Sequence, residues 1–317
     1  MRLGFLTACL PEVPLPTIVK WASTHGYDAL EVAAWPSHVK RPFEATHLDP
    51  GTFGESDRDT LLELFAVHRL EISALAYYDN NLHPDAQTRH ETHAHLRRTV
   101  DAASLLGCPY VGTFVGRDPT STVAENVRIA ERVFPSLVEY AGERGVRLIV
   151  ENCPMEGWHP DGYPANLAYS PELWEWMFSL GLYLNYDPSH LTWLGIDPLA
   201  AIAAAGQHIV HAQAKDVEVD VTARARYGSY GRALNRNDPW ENGWYRYRTP
   251  GLGVIDWRRT IDALYQAGFD GVLSVEQEDP VWGGSPERVF TKGRVDYWTS
   301  AAIGGTLMAS PELPDPG

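Results

Sequence analysis

The chain has 317 residues, 44% of them hydrophobic, and a formal net charge of -15. That length suits one large domain or two ordinary ones, and an acidic field without basic runs argues against a nucleic-acid partner, because it repels phosphate backbones. Three widely spaced cysteines (Cys9, Cys108 and Cys153) with no CxxC pattern argue against a disulfide framework and a thiolate metal knot. No stretch reaches the ~18 consecutive apolar residues of a membrane span. The opening MRLGFLTACLPEVPL is broken by Pro11 and Pro14 and lacks the apolar length of a signal segment, so a cytoplasmic protein is expected.

In chain order, short apolar runs alternate with longer amphipathic ones. LGFLT (3–7) precedes a helical stretch near 14–25, and ALEVAAW (29–35) precedes one near 57–68. EISALAYY (71–78) leads to a helix near 87–106, and YVGTFVG (110–116) to one near 123–144. RLIVEN (147–152) is followed by SPELWEWMFSLG (170–181), whose Ser-Pro start and terminal Gly181 are cap signals. LYLNYD (182–187) precedes a helix near 198–205, IVHAQAKD (209–216) one near 257–268, and GVLSVEQE (271–278) a last one near 286–308. Strict alternation of this kind predicts a parallel sheet covered by helices. Eight repeats predict a (β/α)8 TIM barrel over residues 1–311, with the Pro-rich 312–317 as a frayed tail. The runner-up, a doubly wound open sheet, lacks the G-x-G-x-x-G that a dinucleotide fold places after its first strand.

One connection is too long for a simple turn. Residues 217–256 include NRNDPWENGWYRYRTPGLG (235–253), dense in Trp, Tyr and Arg and poor in the composition of disorder. On a barrel it falls on the catalytic face, where it serves as a lid or wall; the same composition also suits a subunit contact.

Side-chain parity singles out four strands. In RLIVEN, Glu151 shares a face with Ile149; in LYLNYD, Asp187 shares one with Asn185 and Tyr183. In GVLSVEQE, Glu276 follows Ser274 and Val272; in IVHAQAKD, His211, Gln213 and Lys215 lie opposite Val210, Ala212 and Ala214. Alternate residues of a strand project to one side, so these four strands aim Glu151, Asp187, Glu276 and either Gln213 or His211 at one point near the barrel mouth. Three converging carboxylates repel one another, and a divalent cation removes the conflict. The alternative is that each acid is a polar strand end paired with Lys or Arg.

VEN (150–152), YDPSH (186–190), the strand ending KD (215–216) and VEQE (275–278) together resemble the metal-site motifs of the xylose isomerase-like TIM barrels. That superfamily comprises sugar isomerases and epimerases, with endonuclease IV and keto-polyol dehydratases as relatives. The resemblance extends over nearly the whole chain and implies a metal site of Glu151, Asp187, a fourth ligand and Glu276. Where the family commonly has a His, three positions before the acid that follows the strand, this sequence has Gln213. The alternative, His211, lies about 6.6 Å deeper along the strand. Gln213 is therefore preferred, and His211 is assigned to the substrate or to support of the ligands. An all-oxygen ligand set favours Mn2+ or Mg2+ over Zn2+, with Mn2+ the first choice and Co2+ a further alternative.

The resemblance implies proton transfer at a keto-sugar through a metal-stabilised enediolate, with Glu151 and Glu276 exchanging the protons. His190, which matches the family's D-x-x-H, is the third catalytic candidate. Candidate substrate contacts are His211, Lys215, Trp158, His159, His83 and Arg246; for Lys215, pairing with a carboxylate is the stronger reading. Trp35, Tyr78, Trp244 and Trp282 are further aromatic wall candidates. The expected function is a metal-dependent isomerase or epimerase of a small sugar or polyol. The alternative is a lyase that eliminates water or an aglycone from a keto-polyol or 3-keto-glycoside. DNA repair fits poorly, because no histidine follows His211 and the charge is acidic. A homo-oligomer is open.

Overall fold

A computed structural model describes residues 1–38, 44–232, 234 and 243–281. Eight strands close into a barrel in the order β1 (Arg2–Leu6), β2 (Ala29–Ala33), β3 (Glu71–Asn80), β4 (Tyr110–Phe114), β5 (Arg147–Glu151), β6 (Tyr183–Tyr186), β7 (Ile209–Ala214) and β10 (Val272–Val275), which returns to β1. Every neighbouring pair is parallel. The chain is a single TIM-barrel domain, as the alternation predicts. Among the described residues, no helix is long and apolar enough to cross a membrane.

The outer helices are α1 (Leu15–Thr24), α2 (Glu55–Val67), α3 (Ala86–Leu106), α4 (Val123–Gly142), α5 (Pro171–Ser179), α6 (Pro188–Leu194) and α7 (Pro198–Ala205). After β7 come β8 (Asp216–Val219), α8 (Val221–Tyr227), β9 (Tyr245–Arg248) and α9 (Trp257–Gln266). Local chemistry sets their limits. The Thr122 hydroxyl accepts the Glu125 N–H at 3.2 Å while Glu125 accepts the Thr122 N–H at 2.8 Å, a reciprocal cap that starts α4. Asp85 caps α3 through the Thr88 N–H at 2.7 Å. Between barrel and helices lies the main core, where Phe5, Leu30, Val32, Leu75, Val150, Leu184, Ala212 and Val275 are fully buried.

Two elements depart from the sequence reading. Helix α6 begins directly after β6, where the Asp187 cap and Pro188 at the first helical position were legible only as part of YDPSH. The long connection after β7 holds an antiparallel hairpin: β8 pairs with β9 in the register Asp216↔Arg248, Val217↔Tyr247, Glu218↔Arg246 and Val219↔Tyr245. Val217 and Trp244 are buried there and pack with Trp193 of α6. The expected last helix near 286–308, the wall candidate Trp282, the tail 312–317 and part of the long connection lie outside the described residues.

Candidate active site

Glu151 ends β5, and Asp187 and Glu276 stand one residue beyond β6 and β10. All three are buried, and one oxygen from each lies within 4.8 Å of the others. The backbone fixes this convergence. Asn152, next to Glu151, donates from Nδ2 to the Asp187 carbonyl at 2.8 Å and accepts the Asp187 N–H on Oδ1 at 2.7 Å, so the two strand ends are tied. Asp187 then divides its carboxylate. Oδ1 accepts the Ser189 N–H at 2.7 Å and caps α6, which leaves Oδ2 for the site.

Two basic groups enter the same cluster. Lys215, almost wholly buried, places Nζ 2.7 Å from Glu276, 3.1 Å from Glu278 and 3.2 Å from Asp187 Oδ2. His190 places Nε2 3.1 Å from Glu151 and 3.2 Å from Asp187 Oδ2, and its Nδ1 is 3.0 Å from the Tyr247 hydroxyl. These charges split the acids. Burial alone would raise the Asp187 pKa, but Lys215 and His190 outweigh it and carry the group down to about 2. Burial raises the Glu151 carboxyl above its ordinary value, against the pull of His190 and Lys215. Burial, helped by Glu278, Glu151 and Asp187, pushes Glu276 far up despite Lys215. Burial, with Lys215, opposes the charge on His190, yet Cys153 and Asp187 hold its pKa well above the usual range. The cluster thus lowers the aspartate and raises the two glutamates, the kind of divergence that acid–base work uses.

Gln213 lies on β7 opposite Ser274 of β10. Tyr186 pairs with Ala212, which puts Asp187 and Gln213 next in line on neighbouring strands. The Gln213 Oε1 is buried and without a hydrogen-bond partner, and so is Asp187 Oδ2, which has Lys215 and His190 nearby but no well-directed bond from either. Orphaned buried acceptors are costly and call for an explanation. A buried carboxylate cluster with an orphaned amide oxygen on the neighbouring strand fits a divalent cation.

The structure gives the remaining predicted contacts partners of their own. His211 lies deeper, with both ring nitrogens engaged: Nδ1 is 2.9 Å from Asn185 Oδ1 and Nε2 3.1 Å from Ser73 Oγ. It lines a cavity of about 360 Å³ at the N-terminal end of the barrel, with Arg2, Ser73 and Val272, which removes it from a substrate at the mouth. Arg246 pairs with Glu218 at 3.0 Å on the exposed side of the hairpin, because strand parity sends Tyr245 and Tyr247 inward instead. His83 uses Nδ1 to accept the Asp85 N–H at 3.2 Å within its own loop. His159 accepts the Asp161 N–H at 3.0 Å, and Trp158 stands edge-on to Phe114 at 5.6 Å. Trp244 is buried against Trp193, and Trp35 is buried beside Tyr78. Lys215 pairs with carboxylates, as its stronger reading has it.

Sequence reasoning passed over Glu31, Tyr247, Glu278 and Asn152. The alternation in YRYR is the signal for Tyr247, hidden inside a segment read as loop. Glu31 sits mid-strand in ALEVA, where no strand-end position drew attention to it.

Residues 19–294 match the xylose isomerase-like TIM barrel family, and the chain belongs to it. Over 300 residues it is 25% identical to the uncharacterized protein YfiH of Bacillus subtilis, covering 88% of this chain and 93% of that one. An inosose dehydratase of Clostridium tetani is 27% identical over 124 residues, 38% of this chain and 39% of the relative. Among solved structures, the IOLI protein with a bound zinc atom superposes with a TM-score of 0.67 at 20% identity, over 97% of this chain and 98% of that one. The D-psicose 3-epimerase of Clostridium cellulolyticum H10, solved with D-tagatose, superposes at 0.65 and 14% identity, over 97% and 98%.

Proposed function

We propose that this chain is a cytoplasmic, divalent-metal-dependent isomerase or epimerase that moves a proton beside the carbonyl of a small keto-sugar or polyol. One observation carries the reading: three buried carboxylates within 4.8 Å at the ends of β5, β6 and β10, with the partnerless Gln213 oxygen on β7, the strand between β6 and β10. Glu151, Asp187, Gln213 and Glu276 would hold the ion, with Mn2+ the first choice; the zinc in the IOLI structure supports a divalent site in this fold. When bound, the ion polarises the substrate carbonyl and acidifies the adjacent C–H. The chain does the rest. Glu151 and Glu276 take and return protons, each steadied by a basic neighbour. His190 joins Glu151 at 3.1 Å to the Tyr247 hydroxyl at 3.0 Å, a path for exchange toward the mouth.

A lyase on the same residues is the second reading. The Lys215 ammonium, 2.7 Å from Glu276, offers a proton donor distinct from the base, which is what expulsion of a β-oxygen leaving group requires. The similarity to inosose dehydratase supports it too. Incubation with Mn2+ in D2O, with keto-sugars, a keto-inositol and a 3-keto-glycoside, separates the two. Deuterium in recovered substrate or epimer supports the isomerase; loss of water or aglycone supports the lyase; neither exchange nor elimination with any substrate rejects both.

A further inference from the structure

Inside the barrel, below the acid cluster, Glu31 is fully buried, and among the described residues its oxygens are met by neutral donors rather than by a side-chain cation. The Tyr78 hydroxyl donates to Oε1 at 2.5 Å, and the Ser274 hydroxyl to Oε2 at 2.9 Å. The Gln213 amide nitrogen faces both oxygens, at 3.5 and 3.4 Å. The network behind Tyr78 has a single direction. Asn185 donates from Nδ2 to the Tyr78 oxygen at 2.6 Å, so Asn185 Oδ1 accepts from His211 Nδ1 at 2.9 Å, and His211 Nε2 accepts from Ser73 at 3.1 Å. Gly112 allows this packing: a Cβ there would run into the Tyr78 ring. A buried carboxylate held by neutral donors alone is an expensive arrangement for stability by itself.

An amide has two faces, and nothing in its shape distinguishes them. A carboxylate only accepts hydrogen bonds, so Glu31 can tolerate the NH2 of Gln213 and not its carbonyl. The Oε1 is thereby forced to the opposite side, where it is the buried oxygen without a partner. We infer that Glu31 is a positioning residue that locks the Gln213 amide with its oxygen toward the cation site, an inference that rests on the metal reading above. With Glu31 disabled, the amide can rotate and present N–H to the ion, which repels it.

Manganese binding by calorimetry on the full chain tests this, with thermal unfolding followed on each variant. Glu31→Gln introduces an amide that can bond to either face of Gln213. Glu31→Asp keeps the charge but draws the acceptor back by one methylene. Both are expected to weaken Mn2+ binding tenfold or more in the native sequence. In a Gln213→Ala background both are expected to change it less than twofold, because the residue they act through is gone. If Glu31→Gln does not fold, Glu31→Asp supports the same comparison. Native affinity in both Glu31 variants, or equal losses in the two backgrounds, overturns the inference. Retained affinity in Glu31→Asp alone overturns it too, since charge would then suffice. A native chain that binds no Mn2+ rejects the metal reading itself, and is distinct from all of these.

Discussion

Lys215 shows how one residue can stabilise the site before any ligand arrives. Its ammonium touches Asp187, Glu276 and Glu278, and its own pKa is held well above the usual value, because these acids outweigh the burial that would lower it. Removing a buried ion-pair partner leaves uncompensated charge and costs about 3–5 kcal/mol. Lys215→Met is therefore expected to lower the unfolding temperature of the metal-free protein sharply, and to lose much less in excess Mn2+, because a cation replaces the missing charge. Thermal unfolding with and without the ion checks this; an equal loss in both contradicts it. At this scale the sequence is informative about strand-end acids, whose parity is fixed by a period of two. It is uninformative about side chains whose role depends on a neighbour far along the chain. Glu31 and Gln213 are 182 positions apart, and only closure of the barrel brings them together. Likewise, His211 and Gln213 look equivalent by parity; depth and the partners Ser73 and Asn185 separate them.

Among the elements, the hairpin of β8 and β9 decides the shape of the mouth. Its inward residue Tyr247 contacts His190, and the Lys215 ammonium lies 4.7 Å from the centre of the Tyr247 ring. The hairpin is anchored from below by Asp216, which accepts from the backbone of Val217 at 2.8 Å, Gly251 at 2.9 Å and Ile255 at 3.1 Å, and from Trp257 Nε1 at 3.0 Å. Gly253 passes so close to Asp216 that a Cβ would collide with it. Four donors lose their acceptor in Asp216→Ala, two of them in buried bonds and two in part-buried ones, each worth about 0.5–1 kcal/mol. The variant is expected to lose roughly 3 kcal/mol of stability and to become sensitive to proteolysis between β9 and α9, as denaturant titration and limited digestion would show. Unchanged stability would mean that the hairpin is held by its Trp193–Trp244 packing alone. Strand and helix positions with strong periodicity were legible in the sequence to within a few residues. The hairpin was not, because four-residue strands such as DVEV and YRYR carry too short an alternation to stand out from a loop.

For the molecule as a whole, the barrel gathers at its C-terminal end what the chain spreads between Glu151 and Glu276. Eight parallel strands supply the ring, and β5, β6, β7 and β10, consecutive around it, carry the proposed ligands. The opposite end holds the His211 cavity, away from the acid cluster. The order of motifs made the barrel and the family readable, since both follow from repeated local patterns. Reaction and substrate depend on the mouth, which the long connection after β7 helps to build.

The most direct measurement is an anomalous difference map from crystals of the protein soaked in Mn2+. A single peak bounded by Glu151, Asp187, Gln213 and Glu276 is expected, with the Gln213 oxygen facing it and Lys215 still on Glu276 or Glu278. A cluster that binds no Mn2+, with the Lys215 ammonium remaining among its carboxylates, would contradict the account.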